Sequence, residues 1–327
     1  MSNLQPIDNQ PLSRGPEFVK QLQDAIAVQV KSKPYTAYIT RKTPSAFVFL
    51  IDQSGSMADK VKTPTGEWIA KAEWLTLAVN KILNDILDRC TKGTEIRDYF
   101  ELAVIGYGGE SAEKANFAWE GALAAKQWVG ISELAQNYVS ISEDTTVQNI
   151  RGKEVSVTKK RRLWVRSQAE YHTPMNHALT MATELLEEWI VRHQGLDVYP
   201  PTVINITDGQ LTDASFGEVL KTARRIKELH THDGHVLFFN LHIASSAQES
   251  ILFPSRKEEL PTDDSFAQLL FDMSSDIPAL YHNEISRMSN SDLRSSYTGM
   301  AYNASIDKII HMMNIGTSTT MRQIQQP

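Results

Sequence analysis

The sequence predicts a doubly wound α/β fold: a mainly parallel central sheet flanked by helices, with a β-rich insertion. Three observations predict it. Ala46 to Ile51 is a six-residue apolar run without polar alternation, as a strand buried on both faces requires. Further runs of this kind, centred on Leu102 to Ile105, Thr202 to Ile206 and Val236 to Ile243, alternate with helical patterns. Polar residues suited to ligand binding follow two of these runs directly, on the edge where open α/β sheets bind.

Taken in order, residues 1–16 read as a loose arm with Pro6, Pro11 and Pro16. Phe18, Leu22, Ile26 and Val30 step by four, which predicts a short helix over 17–30, and Tyr35 to Ile39 reads as a strand. After the strand at 46–51, Trp68, Ala72, Leu75, Val79, Ile82 and Ile86 predict a helix over 67–90, with Gly93 just beyond its end. A strand over 99–107 comes next. Met175, Ala178, Leu179, Ala182, Leu185, Leu186 and Trp189 share one face of a helix over 174–193. Strand 202–206, a helix near 214–230 and strand 236–243 follow, and helical segments near 264–272, 279–289 and 304–314 close the chain. Residues 109–171 break this rhythm and read as an edge insertion, with a hairpin turning at Lys159-Lys160-Arg161-Arg162. The expected organisation is a lead-in over 1–43, the α/β domain over 44–250, and a helical extension over 251–327 that completes it.

A length of 327 residues allows about two domains of typical size or one elaborated domain. With 41% hydrophobic and 22% charged residues, a disordered chain, a collagen-like fibre and a membrane bundle are excluded. A net charge of −6 argues against whole-surface binding to nucleic acid or anionic membrane. The single cysteine, Cys90, excludes an intrachain disulfide and a cysteine-rich zinc site, and fits a reducing compartment. The N-terminus lacks the apolar core of a signal peptide, so a cytoplasmic protein is expected.

Three segments carry chemistry: Asp52-Gln53-Ser54-Gly55-Ser56-Met57 after the first buried strand, Thr173-Pro174-Met175 opening a helix, and Thr207-Asp208-Gly209 after strand 202–206. Asp52, Ser54, Ser56, Thr173 and Asp208 are all hard oxygen donors. That set suits Mg²⁺, Mn²⁺ or Ca²⁺ rather than zinc. Two carboxylates neutralise a divalent ion, hydroxyls fill further positions, and water completes a shell of about six ligands. Taken singly, each piece reads as a helix cap or a turn; together, in order and at strand exits, they read as a cation site.

The run Phe47-Val48-Phe49-Leu50-Ile51-Asp52-Gln53-Ser54-Gly55-Ser56-Met57 resembles the opening strand and metal loop of von Willebrand factor A (vWA) domains. Their metal-ion-dependent adhesion site joins Asp-x-Ser-x-Ser to a distant Thr and a distant Asp, and Thr173 and Asp208 stand where that pattern expects them. The resemblance covers roughly residues 44–245. The tail, with Asn303-Ala304-Ser305 and Asn314-Ile315-Gly316-Thr317, is similar to that of bacterial cytoplasmic vWA proteins of the tellurium-resistance (TerY-like) type. The resemblance implies a non-enzymatic module whose Mg²⁺ takes an Asp or Glu carboxylate from a protein partner. It further implies stress-response or defence systems, with a phosphatase or kinase among the partners. Tyr171-His172 departs from the Gly-Gly that often precedes the family's Thr, and the 109–171 insertion is long.

Two readings from other classes stand beside this one. A metal-dependent hydrolase would need a general base, for which Glu170 and His172 are the nearby residues. A nucleic-acid-binding protein would use the basic stretch 151–166, although charge runs are usually solvated. No Walker A loop and no Gly-x-Ser-x-Gly elbow occurs, and His230, His232 and His235 flank an Asp-Gly turn signal.

Overall fold

The computed structural model describes residues 14–62, 66–108, 114–150, 153–209, 211–243, 249–288 and 292–305, together with 308, 309, 312 and 324. Helix α1 (Pro16–Ile26) precedes strand β1 (Ser45–Gln53). A ribbon of β2 (Lys60–Lys62) and β3 (Trp68–Ala70) leads into α2 (Lys71–Arg89). Short strands β4 (Thr91–Lys92) and β5 (Glu95–Ile96) turn the chain into β6 (Phe100–Gly108). The insertion holds β7 (Ala115–Phe117), β8 (Val129–Gly130), α3 (Ile131–Gln136), β9 (Ser140–Ile150) and β10 (Lys153–Leu163). Next come α4 (Met175–Arg192), β11 (Thr202–Thr207), α5 (Phe216–Glu228), β12 (His230–Thr231), β13 (Gly234–His235) and β14 (Leu237–Ile243). The chain continues through β15 (Ile251–Leu252), α6 (Ser265–Met273), α7 (His282–Met288) and β16 (Met300–Ala304).

The main sheet runs β15-β16-β14-β11-β1-β6-β7, with β8 also on β6. Strands β16, β14, β11, β1 and β6 are parallel, and β15, β7 and β8 pair antiparallel at the edges. The apolar run of β1 is explained by its place at the centre. Phe47, Phe49 and Ile51 pack on one face with Leu75, Val79 and Ile82 of α2. Ala46, Val48 and Leu50 pack on the other with Leu179 and Leu186 of α4 and Val219 of α5. Side chains of a strand alternate in direction, so only a continuous apolar run covers both faces. The chain leaves β1 through α2 on the first face and leaves β11 through α5 on the second. The connections that follow the paired strands β1 and β11 therefore depart to opposite faces, which opens a crevice at the carboxyl edge of the sheet. Among the described residues, no helix is long and apolar enough to cross a membrane.

Several expectations are corrected. The helix expected over 67–90 begins at Lys71, because Trp68 to Ala70 form β3; Trp68 is 62% exposed and does not line the helix's apolar face. The helix expected over 17–30 ends at Ile26, and Tyr35 to Ile39 is no strand, with only an isolated bridge from Ile39 to Ile324. Lys159 to Arg162 lie within β10, not in a turn, in register with Asp144, Glu143, Ser142 and Ile141 of β9. The segment 251–327, expected to be helical, also holds β15 and β16, and β16 extends the parallel sheet beside β14. Of the tail motifs, 314–317 lie outside the described residues, as do residues 1–13 of the arm.

The insertion belongs to the core as well as to the sheet edge. Trp119, Trp128 and Trp164 are buried, and the Trp164 indole donates to the Leu134 carbonyl at 2.8 Å. Two α2 asparagines hold the root of β10. Asn80 Oδ1 accepts from the backbone N–H of Trp164 at 2.8 Å and of Val165 at 3.2 Å, and Asn80 Nδ2 donates to the Val165 carbonyl at 2.9 Å. One turn on, Asn84 Nδ2 donates to the Arg162 carbonyl at 2.9 Å, and Asn84 Oδ1 accepts from the Arg162 N–H at 3.2 Å. Burial pushes the Cys90 thiol up to about 12, which makes it an inert core group.

Trp68 is the one exposed tryptophan of the six; Trp74, Trp119, Trp128, Trp164 and Trp189 are buried. Iodide is therefore expected to quench a single emitting population, and Trp68→Phe should abolish that quenching while leaving the buried emission. Unchanged iodide quenching in Trp68→Phe would contradict this placement.

Candidate functional site

Asp52 and Gln53 end β1, and Thr207 ends β11 across the crevice. Beyond Gln53 the chain makes a 3-10 turn over Gly55–Ala58, which folds Ser54 and Ser56 back toward Asp52. Ser54 stands at the N-cap of this turn, yet its side chain makes no capping bond. Instead its hydroxyl donates to Asp52 Oδ1 at 2.5 Å, and its N–H reaches the same oxygen at 2.9 Å. The Ser54 and Ser56 hydroxyls are 3.2 Å apart, and Ser56 Oγ donates to Asp208 Oδ1 at 2.7 Å. Asp52, Ser54, Ser56 and Asp208 thus form one chain of hydrogen bonds across 156 positions of sequence, from residue 52 to residue 208. The capping reading of Ser54 and the plain-turn reading of Asp208-Gly209 do not account for it.

Thr173 is brought alongside by its backbone. Glu170 N–H donates to the Gln53 carbonyl at 2.9 Å, and Gly55 N–H to the Tyr171 carbonyl at 3.0 Å, lacing the 170–173 loop to the 53–55 loop. The Thr173 N–H donates to Thr212 Oγ1 at 2.9 Å, and the residue is buried. Its hydroxyl is not part of the hydrogen-bonded chain of the other four side chains. Tyr171, where the family pattern often has glycine, adopts φ 61°. A bulky residue in this region is strained, and its carbonyl bond to Gly55 is the local compensation. On the opposite side, Gly108 has φ +94°, and a Cβ there would lie 2.6 Å from the Ser54 nitrogen. Only glycine lets the end of β6 approach the serine loop this closely.

Two groups join the site that the sequence reading did not include. Thr207 Oγ1 donates to Asp52 Oδ2 at 2.7 Å. Lys71, the first residue of α2, places its Nζ 2.9 Å from Asp208 Oδ2 and 3.5 Å from Asp59 Oδ2. The Lys71 and Asp208 side chains are both buried, whereas Asp59 is exposed. Thr207 belongs to the Thr-Asp-Gly segment, and its place at the end of β11 is the signal that marks it. For Lys71 no local signal exists, because its partner lies 137 residues away.

Burial pushes the Asp52 carboxyl up to about 6, and the nearby Asp208 charge adds to this against hydrogen bonds from Ser54 and Thr207. A carboxylate held high by desolvation and by a like charge is one that a bound cation relieves. The donor set fits a hard divalent ion on that ground. Among the described residues there is no group of three or more His, Cys, Asp or Glu side chains arranged for a metal, so any ion here depends on hydroxyl and water ligands. Glu170 and His172 are exposed, and His230 and His235 meet edge to face at the opposite, amino-terminal end of β14.

No protein-family model matches the sequence, and no characterised protein matches it significantly. Among solved structures, the chain is similar to proximal thread matrix protein 1 from the mussel byssus, with TM-score 0.35 and 11% identity over 71% of this chain. It spans 42% of that protein's length. An uncharacterized membrane spanning protein from Vibrio fischeri aligns with TM-score 0.24 and 15% identity, over 64% of this chain and 74% of that one. Scores this low define neither a shared family nor a shared function.

Proposed function

We propose that this chain is a non-enzymatic, divalent-metal-dependent protein-interaction module of vWA type, acting in the cytoplasm. The observation that carries the reading is the chain of hydrogen bonds joining Asp52, Ser54, Ser56 and Asp208 at the crevice between β1 and β11. These four and Thr173 would hold Mg²⁺, with Mn²⁺ or Ca²⁺ as substitutes. Once bound, the ion supplies an electrophilic contact for an Asp or Glu carboxylate of the partner. The family likeness suggests a bacterial stress-response or defence setting, with a phosphatase or kinase as partner.

Lys71 sharpens the electrostatics. Among the buried groups, two carboxylates and one ammonium leave a single net negative charge, while the exposed Asp59 carboxylate is screened by solvent. A divalent ion converts this to a single positive charge, and one incoming carboxylate restores neutrality. Without Lys71 the filled site would already be neutral and would draw an anion less strongly.

Calorimetric titration of Mg²⁺ into the full chain should show one site. Ser54→Ala combined with Ser56→Ala should weaken it by about 10–100-fold. The fold should persist, because both are small loop residues. Undiminished Mg²⁺ affinity in this double variant would overturn the assignment.

A further inference from the structure

The β2–β3 ribbon rises from the rim of the candidate site. One strand starts directly after the serine loop, where Asp59 N–H donates to the Ser56 carbonyl at 3.1 Å. The other runs into Lys71, whose N–H donates to the Asp59 carbonyl at 2.9 Å and whose ammonium holds Asp208. The register pairs Lys60 with Ala70, Val61 with Ile69 and Lys62 with Trp68. Val61 and Ile69 pack on the core, so the alternation of the strands turns Lys60, Lys62 and Trp68 outward. All three are exposed, and Trp68 is directly opposite Lys62.

Trp68 is 62% exposed beside Lys62, and among the described residues its indole has no hydrogen bond or ring contact. Tryptophan is the side chain most enriched among interface anchors, and it is rarely left this open. We propose that the outward face of this ribbon, formed by Lys60, Lys62 and Trp68, is the docking surface for an acidic peptide segment of the protein partner. This deepens the preceding proposal and rests on it: one carboxylate of the segment goes to the ion, and neighbouring acidic groups meet the lysines. An apolar side chain of the same segment covers the indole.

Charge complementarity favours that occupant. The ribbon's outward face carries two positive charges, and the site at its root becomes positive when filled. A single-stranded nucleic acid fits less well, because such grooves stack successive bases on several aromatics. Here there is one exposed indole, and the Asp59 carboxylate at the ribbon's root lies 3.5 Å from the Lys71 ammonium. Trp68 is two residues from the ribbon's root, about 7 Å along the strand, a span that one short peptide covers.

The test is selection of a random phage-displayed peptide library on the immobilised full chain with Mg²⁺. An enriched peptide is then synthesised and titrated against wild type, Trp68→Ala, and Lys60→Ala with Lys62→Ala, in Mg²⁺ and in chelator. These are exposed positions, so thermal stability should hardly move. The expected peptides are rich in Asp and Glu around an apolar residue. Trp68→Ala should weaken binding by about 30-fold, and the double lysine variant by about tenfold, with the lysine effect shrinking at high salt. The proposal is overturned if enriched peptides show no acidic bias, or if enrichment does not exceed that on a variant lacking all three side chains. Affinities that ignore the ribbon variants would also overturn it, as would tighter binding of a single-stranded oligonucleotide at this face. Chelator separates the two proposals. Binding lost to chelator but indifferent to the ribbon variants sinks the ribbon alone, and ribbon-dependent binding indifferent to chelator sinks the ion alone.

Discussion

Replacing Asp208 with alanine is expected to remove ion binding and to destabilise the fold by about 3–5 kcal/mol, the cost of breaking a buried ion pair by removing one partner. Asp208 holds both Ser56 Oγ at 2.7 Å and the Lys71 ammonium at 2.9 Å. The Lys71 side chain is buried, and its other carboxylate, Asp59, is exposed and farther away at 3.5 Å. Alanine at 208 therefore takes from a buried ammonium the nearer and more buried of these two carboxylates. Adding Lys71→Met removes the buried charge as well, and the pair of changes should recover most of the lost stability. Ion binding should not recover, because a ligand is still missing. Urea unfolding of the two variants reads the first effect and calorimetry the second. Equal stability in Asp208→Ala and wild type would show that the buried ion pair is not formed.

The second large effect belongs to Asn80. This buried side chain satisfies the N–H groups of Trp164 and Val165 and donates to the carbonyls of Val165 and Thr76. Asn80→Leu is similar in size but leaves two backbone donors unpaired in the core. Each stranded donor costs about 1–3 kcal/mol, so about 2–6 kcal/mol should be lost in urea unfolding. Because Asn80 clamps the root of β10, hydrogen exchange should accelerate first at Trp164 and Val165. A loss below about 1 kcal/mol would mean that water or a shifted backbone replaces the asparagine.

The central strands were legible because burial on both faces leaves a continuous apolar run, which Phe47 to Ile51 displays. The long helices were legible from their periodicity, apart from their ends. Trp68 falls in helical step with Ala72 and Leu75, which predicts a helix, although the chain remains extended until Ala70. Strand β16 was missed because Met-Ala-Tyr-Asn-Ala suits a helix as well as a strand, and its pairing with β14 is interrupted between Leu241 and Ile243. The charge of the Lys159 to Arg162 run suggests a turn, but its place in β10 is set by pairing with β9. At the candidate site, the four hydrogen-bonded side chains were all legible from oxygen-donor type and strand-exit position. Lys71 was not, since an ion pair spanning 137 residues leaves no mark on either local sequence.

The most direct measurement of the central claim is an anomalous difference map from crystals of the full chain soaked in Mn²⁺. The account predicts one strong peak in contact with Asp52, Ser54, Ser56, Thr173 and Asp208, weaker in crystals of the Ser54→Ala, Ser56→Ala variant. A peak at any other position, or no peak in crystals whose solvent carries millimolar Mn²⁺, would contradict it.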